Sequence, residues 1–353
     1  MKTNINIANY SIGSGSKPFI IAELSGNHNQ DLDLAKQMVK AAAEAGVDAI
    51  KLQTYTADSM TLDIDSDNFR INEKDSLWYG EHLHKLYQKA STPYSWHKVL
   101  FDYSNELGLI AFSSPFDEPA VDFLESLNVP CYKIASFELT DIPLIEKAAA
   151  TGKPLIMSTG MATEAEIAEA IAAAKSQGND QIILLKCTST YPAQPSNTNL
   201  NTLADIKEQF GCLVGLSDHT RGVGVATASV ALGACVIEKH FVLDRNAGGV
   251  DAEFSLEPVE FKLLCESAND AFQAMGKVVY GGSAAEAKSK YYRRSIFAYQ
   301  DIKAGELLDE TNIKIVRPAL GLAPKHWTKV KQMRADNFIK AGTPIQWDLL
   351  VEC

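Results

Sequence analysis

The stretch "LVGLSDHTRGVGVATASVALGACVIEKHF" (213–241) holds two apolar runs, "LVGLSD" (213–218) and "VIEKHF" (236–241), separated by a segment of crossover length. A histidine stands at the polar end of each run, His219 and His240, in a chain with only 7 histidines. Side chains along a strand alternate between two faces, so Ser217 shares a face with His219, and Glu238 with His240. Buried runs separated by crossovers predict parallel strands, whose last inward residues gather at one end of a sheet or barrel.

Working outward, six more runs of this kind precede the pair: "FIIAEL" (19–24), "AIKLQT" (49–54), "LIAFSS" (109–114), "CYKIAS" (131–136), "PLIMST" (154–159) and "IILLKCT" (182–188). Segments of helical period lie between them. In "DLDLAKQMVKAAAEAG" Asp31 can cap, Leu34, Met38 and Ala42 share a face, and Gly46 stops the helix. Thr163 opens a similar segment, and "SLEPVEFKLLCESANDAFQAMG" closes the series. Eight strands alternating with helices over about 250 residues predict a closed (β/α)8 TIM barrel. The alternative, an open doubly wound sheet, lacks a G-x-G-x-x-G after its first strand.

Two features break the rhythm. Residues 55–92 are polar and too long for a barrel loop, which predicts an insertion folded over one end. After Gly276 the chain becomes small, polar and charged, so the barrel is assigned to 1–276 and a linker to 277–292. Beyond it "DIKAGELLDETNI" (301–313) and "FIKAGTPIQWDLL" (338–350) echo one another, predicting a small β-rich module over 293–353. A length of 353 residues also favours two domains.

Composition narrows the function. A hydrophobic fraction of 46% and a charged fraction of 22% belong to an ordinary globular protein, and no apolar run reaches the roughly 18 residues of a membrane span. The amino terminus shows no secretory signal, so no membrane association and a cytoplasmic location are expected. The 6 cysteines form no C-x-x-C pair and read as reduced thiols. A net charge of −11 argues against nucleic acid as a partner. Any bound phosphate must then be held by a local cluster of cations.

The same parity places candidate chemistry at the carboxyl ends of the strands. His219 and His240, on neighbouring strands, read as ligands of a divalent metal ion, with Glu238 expected to orient the His240 ring. Lys51 and Gln53 share a face of the second strand; Lys133 lies on the fourth, followed by Ser136 and Glu138. Lysine is rarely buried without a partner, so Lys51 and Lys133 read either as phosphate cations or as imine-forming nucleophiles, and spacing leaves both open. Lys186 and Lys239 have the opposite parity and are expected between the barrel and its helices.

In order, "IIAELSGNHN", "AIKLQTY", "SSPF", "YKIASFE", "MSTGM", "CTSTYP", "GLSDHT" and "VIEKHF" resemble the motifs of the sialic acid synthase family, over nearly the whole chain. The carboxyl module, with "VRPALGLAP", looks like the antifreeze-like (SAF) domain that ends these enzymes. The resemblance implies condensation of phosphoenolpyruvate with the open-chain form of an N-acetylated amino sugar, assisted by a divalent metal (Mn2+, or else Mg2+ or Co2+). It places Lys51, Lys133, Ser114, Ser158 and Ser217 with phosphoenolpyruvate, Gln53, Ser189, Tyr191 and Asp251 on the sugar side, and Ser136 among the substrate-binding residues. Glu138 and Glu23 become the carboxylates of the site, with Asp251 beside the sugar or a metal-bound water. It also implies a domain-swapped homodimer in which Arg317 completes a neighbouring subunit's site. Ser189 stands where the family carries asparagine, and "GGVD" where it carries "PGPD"; both imply an altered acceptor pocket and favour a 6-deoxy diacetamido sugar over N-acetylmannosamine. A sialic or legionaminic acceptor, a class I aldolase and a non-catalytic carbohydrate-binding protein are the alternatives.

Overall fold

A short antiparallel hairpin, β1 (Asn4–Ile7) and β2 (Tyr10–Gly13), precedes eight parallel strands: β3 (Phe19–Glu23), β4 (Ala49–Thr54), β5 (Ile110–Pro115), β6 (Tyr132–Ile134), β7 (Leu155–Ser158), β8 (Ile182–Cys187), β9 (Leu213–Asp218) and β10 (Val236–His240). Each strand pairs with the next and β10 returns to β3, closing the barrel. The computed structural model describes residues 3–13, 15–74 and 76–352, in two units, Met1–Gly276 and Lys277–Cys353.

Alternation organises the barrel. Outward residues such as Ile50, Leu52, Leu184, Val214 and Ile237 pack against the alanine- and leucine-rich faces of the surrounding helices. The helices begin and end where their chemistry directs. Asp31 accepts the backbone N–H of Asp33 and Leu34 to open Leu32–Ala45, and Gly46 closes it at φ 90°. Thr163 and Glu166 form a capping box at the start of Glu164–Ser176. Lys239 lies fully buried in the same outer layer, 2.7 Å from Asp218 Oδ2 and donating to the Thr220 carbonyl.

Inward residues divide by height. The lower layers are apolar: Phe19, Ile21, Ala49, Ile110, Phe112, Cys131, Ile156, Ile183, Leu185, Leu213 and Val236 form one cluster with Ile5, Ile7 and Ile12 of the hairpin. The hairpin therefore caps the barrel interior at its amino-terminal end. Its strands of 4 residues are too short for their alternation to stand out in the sequence.

Residues 55–92 contribute the helices Ala57–Met60 and Leu83–Ala90, with a 3-10 turn over Asp67–Phe69 between them. Trp78 Nε1 donates to the Val250 carbonyl at 2.9 Å, fastening the insertion to the loop after β10 on the carboxyl side of the barrel. Cys131, Cys187, Cys212, Cys235 and Cys265 are free thiols; Cys353 lies outside the described residues. No helix among the described residues is long and apolar enough to cross a membrane.

The second unit is built of two antiparallel pairs, β11 (Ser295–Ala298) with β12 (Ile313–Val316) and β13 (Met333–Ala335) with β14 (Leu350–Glu352). The two I-K-A-G segments face each other: Ile302 and Ile339 exchange both backbone hydrogen bonds, at 2.8 and 2.9 Å. Gly305 and Gly342 take the same left-handed turn, at φ 79° and 88°. Residues 277–292, expected as a linker, fall in this unit, with a 3-10 helix over Ala287–Tyr292.

If the hairpin caps the barrel interior, Ile7→Ala, at a fully buried position, should destabilise the first unit by about 2–5 kcal/mol in urea unfolding. A loss under about 0.5 kcal/mol, the range of surface substitutions, would show that the hairpin only rests on the barrel.

Candidate active site

Above the apolar layers every strand contributes at least one inward polar side chain: Glu23, Lys51 with Gln53, Ser114, Lys133, Ser158, Cys187, Ser217, and Glu238 with His240. Register sets their neighbours. Glu23 lies opposite both Lys51 and His240, while Ser217 lies opposite Cys187 and Glu238.

The charges form a connected cluster. Lys51 makes an ion pair with Glu23, donates to Ser114 Oγ at 3.2 Å and lies 3.8 Å from Glu238 Oε2. Lys133 donates to Ser158 Oγ at 2.7 Å and to the Ile134 carbonyl at 3.1 Å, and lies 3.7 Å from Glu238 Oε1. Ser217 Oγ donates to the same Glu238 oxygen at 3.2 Å. Glu238, expected beside His240, is thus turned to the two lysines and Ser217, because two buried ammonium groups demand a carboxylate more strongly than an imidazole does.

Charged neighbours separate the two carboxyls. Burial raises Glu23 to about 7, against the pull of Lys51 and with the repulsion of Glu238 added. Glu238 feels the same burial, but Lys133 and Lys51 hold it below its ordinary value. For Lys51, burial is overridden by Glu23 and Glu238 and its pKa rises; for Lys133, burial wins and its pKa falls.

His219 and His240 stand side by side, ring centroids 5.3 Å apart, against Phe254 and Tyr191. His219 Nδ1 lies 3.0 Å from the Thr188 carbonyl. Donation there directs the Nε2 lone pair away from that bond, as a metal ligand requires. His240 Nδ1 is buried without a hydrogen bond, with Asp251 Oδ2 at 3.7 Å. Burial, then the neighbouring His219, keep His240 well below its ordinary pKa, hence neutral. Two imidazoles with a buried, unpaired nitrogen fit a divalent ion. Among the described residues no group of three or more His, Cys, Asp or Glu side chains is arranged to enclose one.

The remaining candidates line the rim. Ser136 and Glu138 share a 3-10 turn after β6, where Ser136 Oγ accepts the Gly160 N–H at 3.2 Å. A Cβ on Gly160 would collide with the hydroxyls of Ser189 and Ser136, so glycine is needed for this close approach. Glu138 Oε2 is buried without a hydrogen bond, and burial, opposed by Lys133, raises its carboxyl to about 7. Tyr191 packs between Trp78 and His219. Gln53 reaches Ser25 Oγ at 3.5 Å, and Asp251 accepts a hydrogen bond from the same hydroxyl. Arg317 belongs to the second unit, directly after β12, with a cis peptide bond to Pro318.

Ser25, Cys187, Trp78 and Phe254 also belong to this neighbourhood and do not emerge from the sequence argument. Cys187 had a signal, since it shares the inward parity of Ile183 and Leu185. Ser25 lies just past β3, where strand parity ends, and Trp78 and Phe254 reach the site from loops.

Fold and site define an enzyme-like (β/α)8 barrel with a buried two-lysine cluster beside a histidine pair at the carboxyl ends of its strands. The family model described as the NeuB family matches residues 38–280, and the SAF domain matches residues 293–351. The chain belongs to the NeuB family and carries a SAF domain. It is 46% identical over 333 residues to the pseudaminic acid synthase of Helicobacter pylori (94% of this chain, 97% of that one). The pseudaminic acid synthase of Campylobacter jejuni subsp. jejuni serotype O:2 is 42% identical over 342 residues (97% and 98%). Among solved structures, N-acetylneuraminic acid synthetase from Leptospira borgpetersenii serovar Hardjo-bovis, in complex with citrate, aligns with a TM-score of 0.72 and 32% identity, covering 82% of this chain and 96% of that one.

Glu138 supplies a test of this electrostatic picture. Its folded pKa of about 7 lies above the unfolded value, so the proton it retains favours the folded state at low pH, and that advantage is lost as pH rises from about 4.5 through 7. Glu138→Gln should therefore gain on the order of 2–3 kcal/mol relative to the parent between pH 4 and pH 8 in denaturant unfolding. An offset that does not change with pH would place Glu138 in water.

Proposed function

We propose that the chain condenses phosphoenolpyruvate with 2,4-diacetamido-2,4,6-trideoxy-L-altrose, giving a nine-carbon 2-keto acid and phosphate, the reaction of a pseudaminic acid synthase, in the cytoplasm. The observation that carries this reading is the convergence of Lys51 and Lys133 with Ser114, Ser158 and Ser217 beside the histidine pair, in a chain 46% identical to such a synthase.

Lys51 and Lys133 take the phosphate and carboxylate of phosphoenolpyruvate, with the Ser114, Ser158 and Ser217 hydroxyls, and Ser136 at the rim, supplying hydrogen bonds. Gln53, Ser189, Tyr191 and Asp251 hold the acceptor so that its aldehyde carbon meets C3 of the enol. A divalent ion on His219 and His240, in our reading Mn2+ with Mg2+ or Co2+ as substitutes, would supply electrophilic polarisation of the aldehyde oxygen. As C3 attacks, Glu138, protonated near neutrality, gives its proton to that oxygen. Water then adds at C2, its proton passing to a carboxylate of the site, for which Glu23 is placed at the foot of the mouth. C–O cleavage then expels phosphate, which carries off the proton of the new C2 hydroxyl, and leaves the ketone. An imine mechanism would require Lys133, whose burial lowers its pKa, but Lys133 is already held by Ser158 and Glu238.

Phosphate release should appear with phosphoenolpyruvate and the altrose derivative, disappear on chelation and in His219→Ala or His240→Ala, and return to the chelated parent with Mn2+. Preferential turnover of the legionaminic or N-acetylmannosamine acceptor would reassign the substrate. A borohydride-reduced pyruvate adduct on Lys133 or Lys51 would replace the mechanism by an aldolase.

Family resemblance also supports a homodimer in which the SAF domain of one subunit closes the barrel mouth of the other, with Arg317 hydrogen-bonded to the acceptor. Arg317→Ala and His240→Ala chains, each inactive, should regain turnover when re-annealed together, because one site of the mixed dimer keeps an intact barrel and an intact arginine. Verified heterodimers that stay silent would return Arg317 to its own chain.

A further inference from the structure

Ser25 is 2% exposed and sits just past β3 at φ 50°, in the left-handed region that favours glycine. A serine held there needs a compensating interaction, and it has three. Its N–H donates to Glu23 Oε1 at 3.1 Å, its hydroxyl donates to Asp251 Oδ2, and Gln53 Nε2 approaches Ser25 Oγ at 3.5 Å. One short side chain thereby ties the end of β3 to β4 and to the loop after β10.

The bond to Asp251 has a competitor. Asp251 Oδ2 lies 3.7 Å from the unpaired His240 Nδ1, and the carboxylate follows two glycines, Gly248 at φ 85° and Gly249 at φ 140°. The serine hydroxyl is the bond that holds Oδ2 against closing on the imidazole. The hydroxyl has a single proton, and giving it to Asp251 leaves only acceptor capacity for Gln53, so the orientations of both side chains are set together.

We propose that Ser25 is a positioning residue for the acceptor half of the site: it holds the Asp251 carboxylate away from His240 and in register with the Gln53 amide. The inference rests on the assignment of Gln53 and Asp251 to the sugar under the proposed function. Ser25 acts through these two side chains and does not itself meet the reacting atoms.

Steady-state kinetics of Ser25→Gly and Ser25→Ala, with each substrate varied in turn, decide the matter. Glycine is at ease at φ 50°, so Ser25→Gly should keep or raise the melting temperature, while Ser25→Ala keeps the strain and loses the bond. Both should lose roughly 10–100-fold in kcat/KM for the acceptor, the usual effect of removing a supporting hydrogen bond, while the KM for phosphoenolpyruvate stays within about two-fold. Unchanged acceptor kinetics, an equal loss for phosphoenolpyruvate, or a defect in Ser25→Gly alone would each overturn the proposal, the last by tracing the effect to the backbone. Silence of the unmodified enzyme with every acceptor would remove this assignment together with the function beneath it, an outcome distinct from variants that match an active parent.

Discussion

Two ammonium groups cannot be buried on a barrel axis without partners. Lys51 and Lys133 are 3% and 2% exposed, and stripping such ions of water costs several kcal/mol each unless carboxylates answer them. Glu23 and Glu238 do so, and meeting that need fixes more than the four residues. The pairs must come from strands β3, β4, β6 and β10 in matching register, above a layer that keeps water from entering below. The apolar lower layers and the hairpin provide that layer. The same requirement draws Glu238 away from His240 and leaves the imidazole Nδ1 without a hydrogen bond.

Much of this was legible because a barrel strand has a period of 2, and period survives in sequence. All eight strands, the inward parity of Lys51, Lys133, Ser217, Glu238 and His240, and the outward parity of Lys239 follow from alternation together with where each apolar run stops. Contacts made after a strand ends carry no period. Ser25, Asp251 and Trp78 meet the site through loop geometry across separations of up to 226 residues. The direction of Glu238 was equally hidden: parity says that it points inward, but the choice between a lysine and an imidazole depends on which buried charges lack a partner.

The SAF unit shows the same division between pattern and pairing. Its doubled I-K-A-G reads as a repeat, yet the repeat says nothing of how the copies meet. In the structure they hydrogen-bond to each other through Ile302 and Ile339, and the following aliphatic residues, Leu308 and Ile345, enter one core with Ile313 and Leu350. Neither copy could bury its isoleucine alone, so the duplication supplies a second apolar face for the first.

The charge state of the barrel cluster explains how an acidic chain can receive an anion. Burial raises the Glu23 carboxyl while Lys133 and Lys51 hold Glu238 down, so the two lysines face one firmly ionised carboxylate and one that burial makes easier to protonate. The cluster can therefore shed negative charge locally although the chain carries −11. An arriving phosphate or carboxylate strengthens this bias, since a further negative charge beside Glu23 raises its pKa and favours the protonated form. Proton uptake and anion binding thus reinforce one another. A site that adapts its charge in this way can bury its lysines without a ligand and still offer them to one, which two permanently ionised carboxylates would oppose.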